Sequence, residues 1–145
     1  MRRALRIFEA TFGNEAPNVA DALNNLAQLL KTTNRLIEAE PLMRRALKID
    51  EQSYEEDHPV IARDLFNLVQ LLQATNRLAE AEPLIPRVAE ILLKFTRETG
   101  HPHPLLLAAI GNYAFLLEQT GNSEEDIWAF LERLTQRFGV DLHGI

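Results

Sequence analysis

The chain has 145 residues, of which 46% are hydrophobic and 25% charged, with a formal net charge of -6 and no cysteine. This size and balance fit one ordinary globular domain with a sizeable core. They exclude a global basic field for DNA, RNA or an anionic membrane, and the missing cysteine excludes disulfides, thiolate catalysis and cysteine-ligated zinc.

The first predicted helix spans 1–12. It opens Met1-Arg2-Arg3-Ala4-Leu5, with no apolar stretch of the signal-peptide kind, which points to a cytoplasmic location. A helix over 17–32 follows. Val19, Ala20, Leu23, Leu26, Ala27 and Leu30 keep the 3, 4, 7 spacing of an amphipathic helix, and Pro17 suits its first turn, where a missing N–H costs nothing. Thr33-Asn34 ends it, because Asn tolerates the left-handed conformation of a helix terminus. A helix over 36–54 carries the stripe Leu36, Ala39, Leu42, Met43, Ala46, Leu47 and Ile49. Pro41 lies inside it and is expected to bend it.

From residue 59 the text repeats. Residues 59–100 match residues 17–58 at 20 of 42 positions, and Thr33 to Leu42 recurs as Thr75 to Leu84 with only Ile37 against Ala79 changed. The repeat predicts helices over 59–74 and 78–98. Asp57 and His58 are candidate caps for the first, Asp being the better capping residue. Pro83 and Pro86 are expected to disturb the second. A third unit begins at Pro104, where Asn112 falls on Asn67, Leu116-Leu117 on Leu71-Leu72 and Thr120-Gly121 on Thr75-Asn76. It predicts helices over 104–119 and 124–138. The last has Asp126 and Arg133 where earlier units carry alanine, and its Trp128, Phe130, Leu131, Leu134 and Phe138 read as a terminal cap, with Trp128 in a partner interface as the alternative. Met1 to Leu5 repeats Met43 to Leu47 without a change, so 1–16 reads as the second half of a truncated repeat. The frame is therefore one domain over 1–145, divided as 1–16, 17–58, 59–103 and 104–145. The longest uncharged apolar run, Pro104 to Leu117, is too short and mixed for a membrane span.

A period of this size marks an array of stacked helical units. Leu23-x-x-Leu26-Ala27-x-x-Leu30, followed by Ala39, Met43 and Ala46, resembles the tetratricopeptide pattern. The 42-residue form, with Asp57-His58-Pro59 before the helix and Asn25-Leu26-Ala27, Asn67-Leu68-Val69 and Asn112-Tyr113-Ala114 inside it, is similar to the repeats of kinesin light chains and their bacterial relatives. The resemblance covers about residues 1–122. It implies an all-α, right-handed α-solenoid of antiparallel helix pairs, about seven helices in all, whose first helices line a concave groove.

The groove positions it implies are Asp21, Asn24, Asn25, Gln28 and Lys31, then Arg63, Phe66, Asn67, Gln70 and Gln73, then Ala108, Gly111, Asn112, Phe115 and Glu118. Asn25, Asn67 and Asn112 make an amide ladder, supported by Gln28 and Gln70, that can hold a peptide backbone through paired donors and acceptors. The bland alternative is that these asparagines bond neighbouring backbone. Phe66 and Phe115 add apolar surface, and Phe66 is hard to place in a core. Arg63 could take a carboxylate, and Asn24 completes the candidate set. Capture of a C-terminal carboxylate is disfavoured, because Lys31 and Arg63 stand beside Asp21 and Glu118.

His101-Pro102-His103-Pro104, with Glu98, lacks the further ligands that would close a metal site. Ser53 and Ser123 lack a paired His and acid, and no Gly-rich phosphate loop is present. The expectation is a non-catalytic module for a protein or peptide partner, with no cofactor, no metal, no nucleic acid and no membrane. The alternative is a structural or regulatory oligomerisation scaffold within a larger signalling protein. It includes a homodimer through the terminal helices, where Ala4, Leu5, Ile7 and Phe8 lack a covering partner.

Overall fold

The computed structural model describes Arg3, Leu5, Arg6 and residues 16–144. Apart from those three helical residues, the helix expected over 1–12 and its apolar patch lie outside the described residues. The rest is helical: α1 (Pro17–Thr32), α2 (Leu36–Ser53), α3 (Pro59–Ala74), a one-turn α4 (Leu78–Ala81), α5 (Leu84–Thr99), α6 (Leu106–Gln119), α7 (Glu124–Arg137) and a 3₁₀ turn (Leu142–Gly144). Among the described residues there is no strand. The chain falls into two compact units, Met1–Ala81 and Glu82–Ile145. In the first, α1 packs on α2 and α2 on α3; in the second, α5 packs on α6 and α6 on α7.

The repeated text builds one turn three times. Asn34, Asn76 and Gly121 take φ of 61°, 58° and 91°, the left-handed conformation open at low cost to Asn and Gly. The next residue then donates back across the turn: Arg35 N–H to Leu30 O at 2.7 Å, Arg77 N–H to Leu72 O at 2.8 Å and Asn122 N–H to Leu117 O at 3.1 Å. The hydroxyls of Thr33, Thr75 and Thr120 donate to carbonyls of the last helical turn before them. Carbonyls that a helix end leaves without donors are thereby satisfied locally. Arg35 to Glu38 and Arg77 to Glu80 add the same exposed i,i+3 ion pair after the turn in both copies, where solvent screens most of its strength.

Helix starts are also built by the repeat. His58, not Asp57, caps α3: its Nδ1 accepts from Val60 N–H at 3.1 Å. His103 repeats the contact, accepting from Leu105 N–H at 3.1 Å. The following proline fixes the backbone so that an imidazole nitrogen reaches the donor two residues on, and accepting through Nδ1 requires that nitrogen to be unprotonated. Burial pushes the His103 imidazole below its ordinary range, which favours the accepting form. Ser123 caps α7, its Oγ accepting from Asp126 N–H at 3.2 Å.

The two second helices differ. Pro41 lies inside α2, which runs unbroken from Leu36 to Ser53. Its missing N–H leaves the carbonyl of Ile37 without that helical donor, at a residue that is 89% exposed. The helix expected over 78–98 instead breaks at Glu82-Pro83 into α4 and α5. Pro86 is the added cause: two donors are lost within one turn, and ending the helix puts Pro86 in the first turn of α5, where the donor is not needed. Replacing Pro86 with Arg, the residue at the equivalent position 44, is expected to give one bent helix over 78–99. Stability should change by no more than about 1 kcal/mol, the loss of proline's rigidity offsetting the gain. Helical NMR secondary shifts at residues 82–86 check this, and persisting turn shifts would assign the break to Pro83 alone.

In the first unit the apolar stripes of α1 and α2 meet in a cluster of Val19, Ala20, Leu23, Ala46 and Ile49, with Leu5, Ala16 and Leu42 packed against it. The alanines let the helices approach closely. In the second, Leu106, Ala109 and Ile110 of α6 and Leu131 and Leu134 of α7 are buried, as are Leu92 and Leu93 of α5.

Candidate functional site

Within the first unit, α1 and α3 present matching polar side chains. Asp21, Asn25 and Gln28 stand on α1 and their repeat equivalents Arg63, Asn67 and Gln70 on α3. The spacing i, i+4, i+7 keeps each set on one helix face. Asn25 is exposed and Asn67, Gln28 and Gln70 are half-buried. Arg63 Nη2 donates to Asp21 Oδ1 at 3.3 Å at one end of the strip, and Lys31 Nζ donates to Gln70 Oε1 at 3.4 Å towards the other. Between them, the side-chain amides of Asn25 and Asn67 have no hydrogen-bond partner among the described residues, so both donors and acceptors face outward.

Three expected members of the groove are placed otherwise. Asn24 and Phe66, which occupy the same place in successive repeats, are each only 7% exposed. Phe66 is buried despite its size, and Asn24 turns inward to donate from Nδ2 to Asp64 Oδ1 at 2.9 Å. Arg63 is not free for a foreign carboxylate. Its Nη2 lies 3.2 Å from Asp64 Oδ1, 3.3 Å from Asp21 Oδ1 and 3.7 Å from Asp50 Oδ2.

Sequence reasoning missed the group beneath that guanidinium. Asp50 and Asp64 are each 1% exposed. Burial, then a hydrogen bond with Asp64 and its charge, push the Asp50 carboxyl up to about 8 against the pull of Arg63. The sequence does hold a signal: the position of Asp64 is Ala22 in the preceding repeat and Ala109 in the following one, and Asp50 corresponds to Leu92. A carboxylate at a position that is alanine in both other repeats, as for Asp64, is a buried charge written in the text.

In the second unit Asn112 is half-buried and Phe115 is 46% exposed. Phe115 shares α6 with Leu107, 60% exposed, and with exposed Ala108 and Gly111. On α7 Phe130 packs on Tyr113 at 5.2 Å between ring centres, while Trp128 stays 48% exposed and stacks on His143. Beside them Glu90, Tyr113, Phe130 and Arg137 line an open hollow of about 410 Å³, where Arg137 pairs with Glu90 at 2.9 Å. His103 accepts the Leu105 N–H in the turn before α6, and its ring lies edge-on to Phe95. Among the described residues no group of three or more His, Cys, Asp or Glu side chains could hold a metal ion, and no helix is long and apolar enough to cross a membrane.

The tetratricopeptide repeat family model matches residues 1–52 and 33–94. Two crystal structures of the nearly identical TPR-like repeats of a Podosopora anserina protein, described as a kinesin light chain, superpose on the chain with a TM-score of 0.75 at 22% identity. They cover 92% and 97% of this chain, which spans 61% and 66% of theirs. No curated protein matches it. Stacked helix hairpins with small residues at the helix contacts define a helical-repeat protein of the α-solenoid class. The chain belongs to the tetratricopeptide repeat family. That fold is in general one for protein–protein interaction.

Proposed function

We propose that the chain is a non-catalytic interaction module that binds an extended segment of a partner protein along the first helices of its repeats. The observation that supports this reading is the pair of outward amides at Asn25 and Asn67, equivalent in successive repeats and without partners among the described residues. Each offers a donor and an acceptor to a peptide backbone. Gln28 and Gln70 extend the strip. Within the second unit, Asn112 is the repeat equivalent of these asparagines and Phe115 that of the glutamines. Arg63 frames the strip as a partner of Asp21, while Asn24 and Phe66 hold the helices that carry it.

The test is selection of extended peptides from a displayed library by the full chain, followed by titration of the Asn25→Ala/Asn67→Ala double variant. Loss of two backbone-directed bonds is expected to weaken binding by about 2 kcal/mol, roughly 30-fold in Kd. A double variant that melts like the parent and binds equally well would remove the amides from the site.

A second reading, an oligomerisation scaffold, is favoured by the exposed apolar face of α6 (Leu107, Phe115) and by Trp128. It predicts a dimer or larger species in light scattering at tens of micromolar chain. A Leu107→Lys/Phe115→Lys variant that restores the monomer would support it.

A further inference from the structure

Asp50 and Asp64 are buried, come from different helices, and both lie against Arg63 Nη2, at 3.7 and 3.2 Å. Among the described residues, the other groups facing them can be named. Of the helices packed on α2, α1 brings Asp21 and Asn24, and α3 brings Arg63 and Asp64 itself. The described N-terminal residues bring only Leu5 to the adjoining apolar cluster, and Arg3 and Arg6 are exposed. Three carboxylates therefore share one guanidinium, which is itself 38% exposed.

The hydrogen-bond inventory is short of donors. Asn24 Oδ1, Asp50 Oδ2 and Asp64 Oδ2 are buried acceptors without a hydrogen-bond partner among the described residues. Arg63 Nη2 reaches Asp50 Oδ2 only at 3.7 Å, beyond a hydrogen bond. Two ionised carboxylates cannot satisfy each other, because both only accept. One added proton changes this: a protonated Asp50 donates to Asp64, and the junction loses one of two facing negative charges.

We propose that the Asp50–Asp64 pair is a proton-binding latch that holds α3 against the α1–α2 hairpin and loosens when its proton passes to solvent. Asp64 stands where the other repeats carry Ala22 and Ala109, and Asp50 where they carry Leu92 and Arg137, so an apolar contact is the alternative at the Asp64 position. What the acidic version adds is sensitivity to pH. The direction follows from Asp50, whose folded value of about 8 lies above its ordinary 3.8. The folded chain then holds a proton that the unfolded chain has released. The stabilisation is complete below about pH 4 and is lost as pH rises through 8. His103, lowered by burial, works in the opposite sense around its ordinary range, and it does so equally in any variant of Asp50.

The experiment compares the full chain with Asp50→Asn, whose amide donates to Asp64 at every pH as the protonated acid does. Denaturant titrations from pH 5.5 to 7.5 give the folding constant. Relative to Asp50→Asn, the parent constant is expected to fall about tenfold per pH unit, the signature of one proton. Exchange-corrected amide protection in Pro59–Ala74 should fall with pH in the parent and stay level in the variant. Parallel pH profiles for the two proteins overturn the latch. Should the variant fail to fold, the carboxyl carbon of Asp50 in the parent decides by NMR: a titration midpoint above pH 6.5 supports the proposal, and one in the ordinary range near 4 overturns it.

Discussion

Replacing Leu23 with alanine is expected to cost the first unit about 3–4 kcal/mol. Leu23 is fully buried, and its cluster is made of Val19, Ala20, Ala46 and Ile49. Two of these are alanines, which have no further rotamer with which to fill the space left behind. The cavity therefore stays, and the lost dispersion contacts add to the lost transfer energy. The close approach of α1 and α2, bought with small residues, is what makes the site unforgiving. The measurement is urea denaturation followed by circular dichroism, with hydrogen exchange read in α1 to α3. The single tryptophan, Trp128, lies in the other unit and its fluorescence does not report on this one directly. A loss under about 1.5 kcal/mol would mean that the two helices collapse into the gap.

The same residues show why some of the architecture was legible in the sequence. Pro17 and Pro59 marked helix starts, and Thr-Asn, Thr-Asn and Thr-Gly marked the turns. Each acts through local backbone chemistry that needs no knowledge of the rest of the molecule. α1 and α3 run over the residues expected of them. Local chemistry fails where two effects compete. Pro41 is absorbed by a helix while Pro83 is not, and the difference lies three residues on, at Pro86. The facing of Asn24 against Asn25 depends on about 100° of helix rotation per residue, which spacing alone did not resolve. Phe66 reads as too large for a place that Asn24 fills in the neighbouring repeat, yet both are buried. The acidic pair was hidden for another reason. Aspartate is ordinarily a surface residue, and only comparison with Ala22, Ala109 and Leu92 at equivalent positions shows that Asp64 and Asp50 occupy core sites.

Removing the guanidinium of Arg63 while keeping a stem of similar shape, as in Arg63→Met, is expected to destabilise the first unit by about 2–3 kcal/mol at pH 8. Deleting the partner of buried charges costs about 3–5 kcal/mol when they are wholly desolvated. The lower figure is appropriate here because Arg63 is 38% exposed and Asp21 60%, so solvent already screens part of the interaction. Methionine keeps an apolar stem of similar length, which separates loss of charge from loss of side-chain volume. The loss should be smaller at pH 5.5, where Asp50 carries its proton and one fewer negative charge depends on Arg63. Adding Asp64→Asn to Arg63→Met should recover part of the stability at pH 8, since the pair is coupled and its effects do not add. Denaturant titrations of the single and double variants at both pH values read this out. Equal losses at pH 5.5 and 8 would show that Arg63 acts through packing or through Asp21 alone. A loss confined to high pH places Arg63 at the junction of the two features of α1 and α3. On the solvent side it borders the amide strip proposed for the partner, and on the inner side it compensates the carboxyl pair that makes the junction responsive to protons.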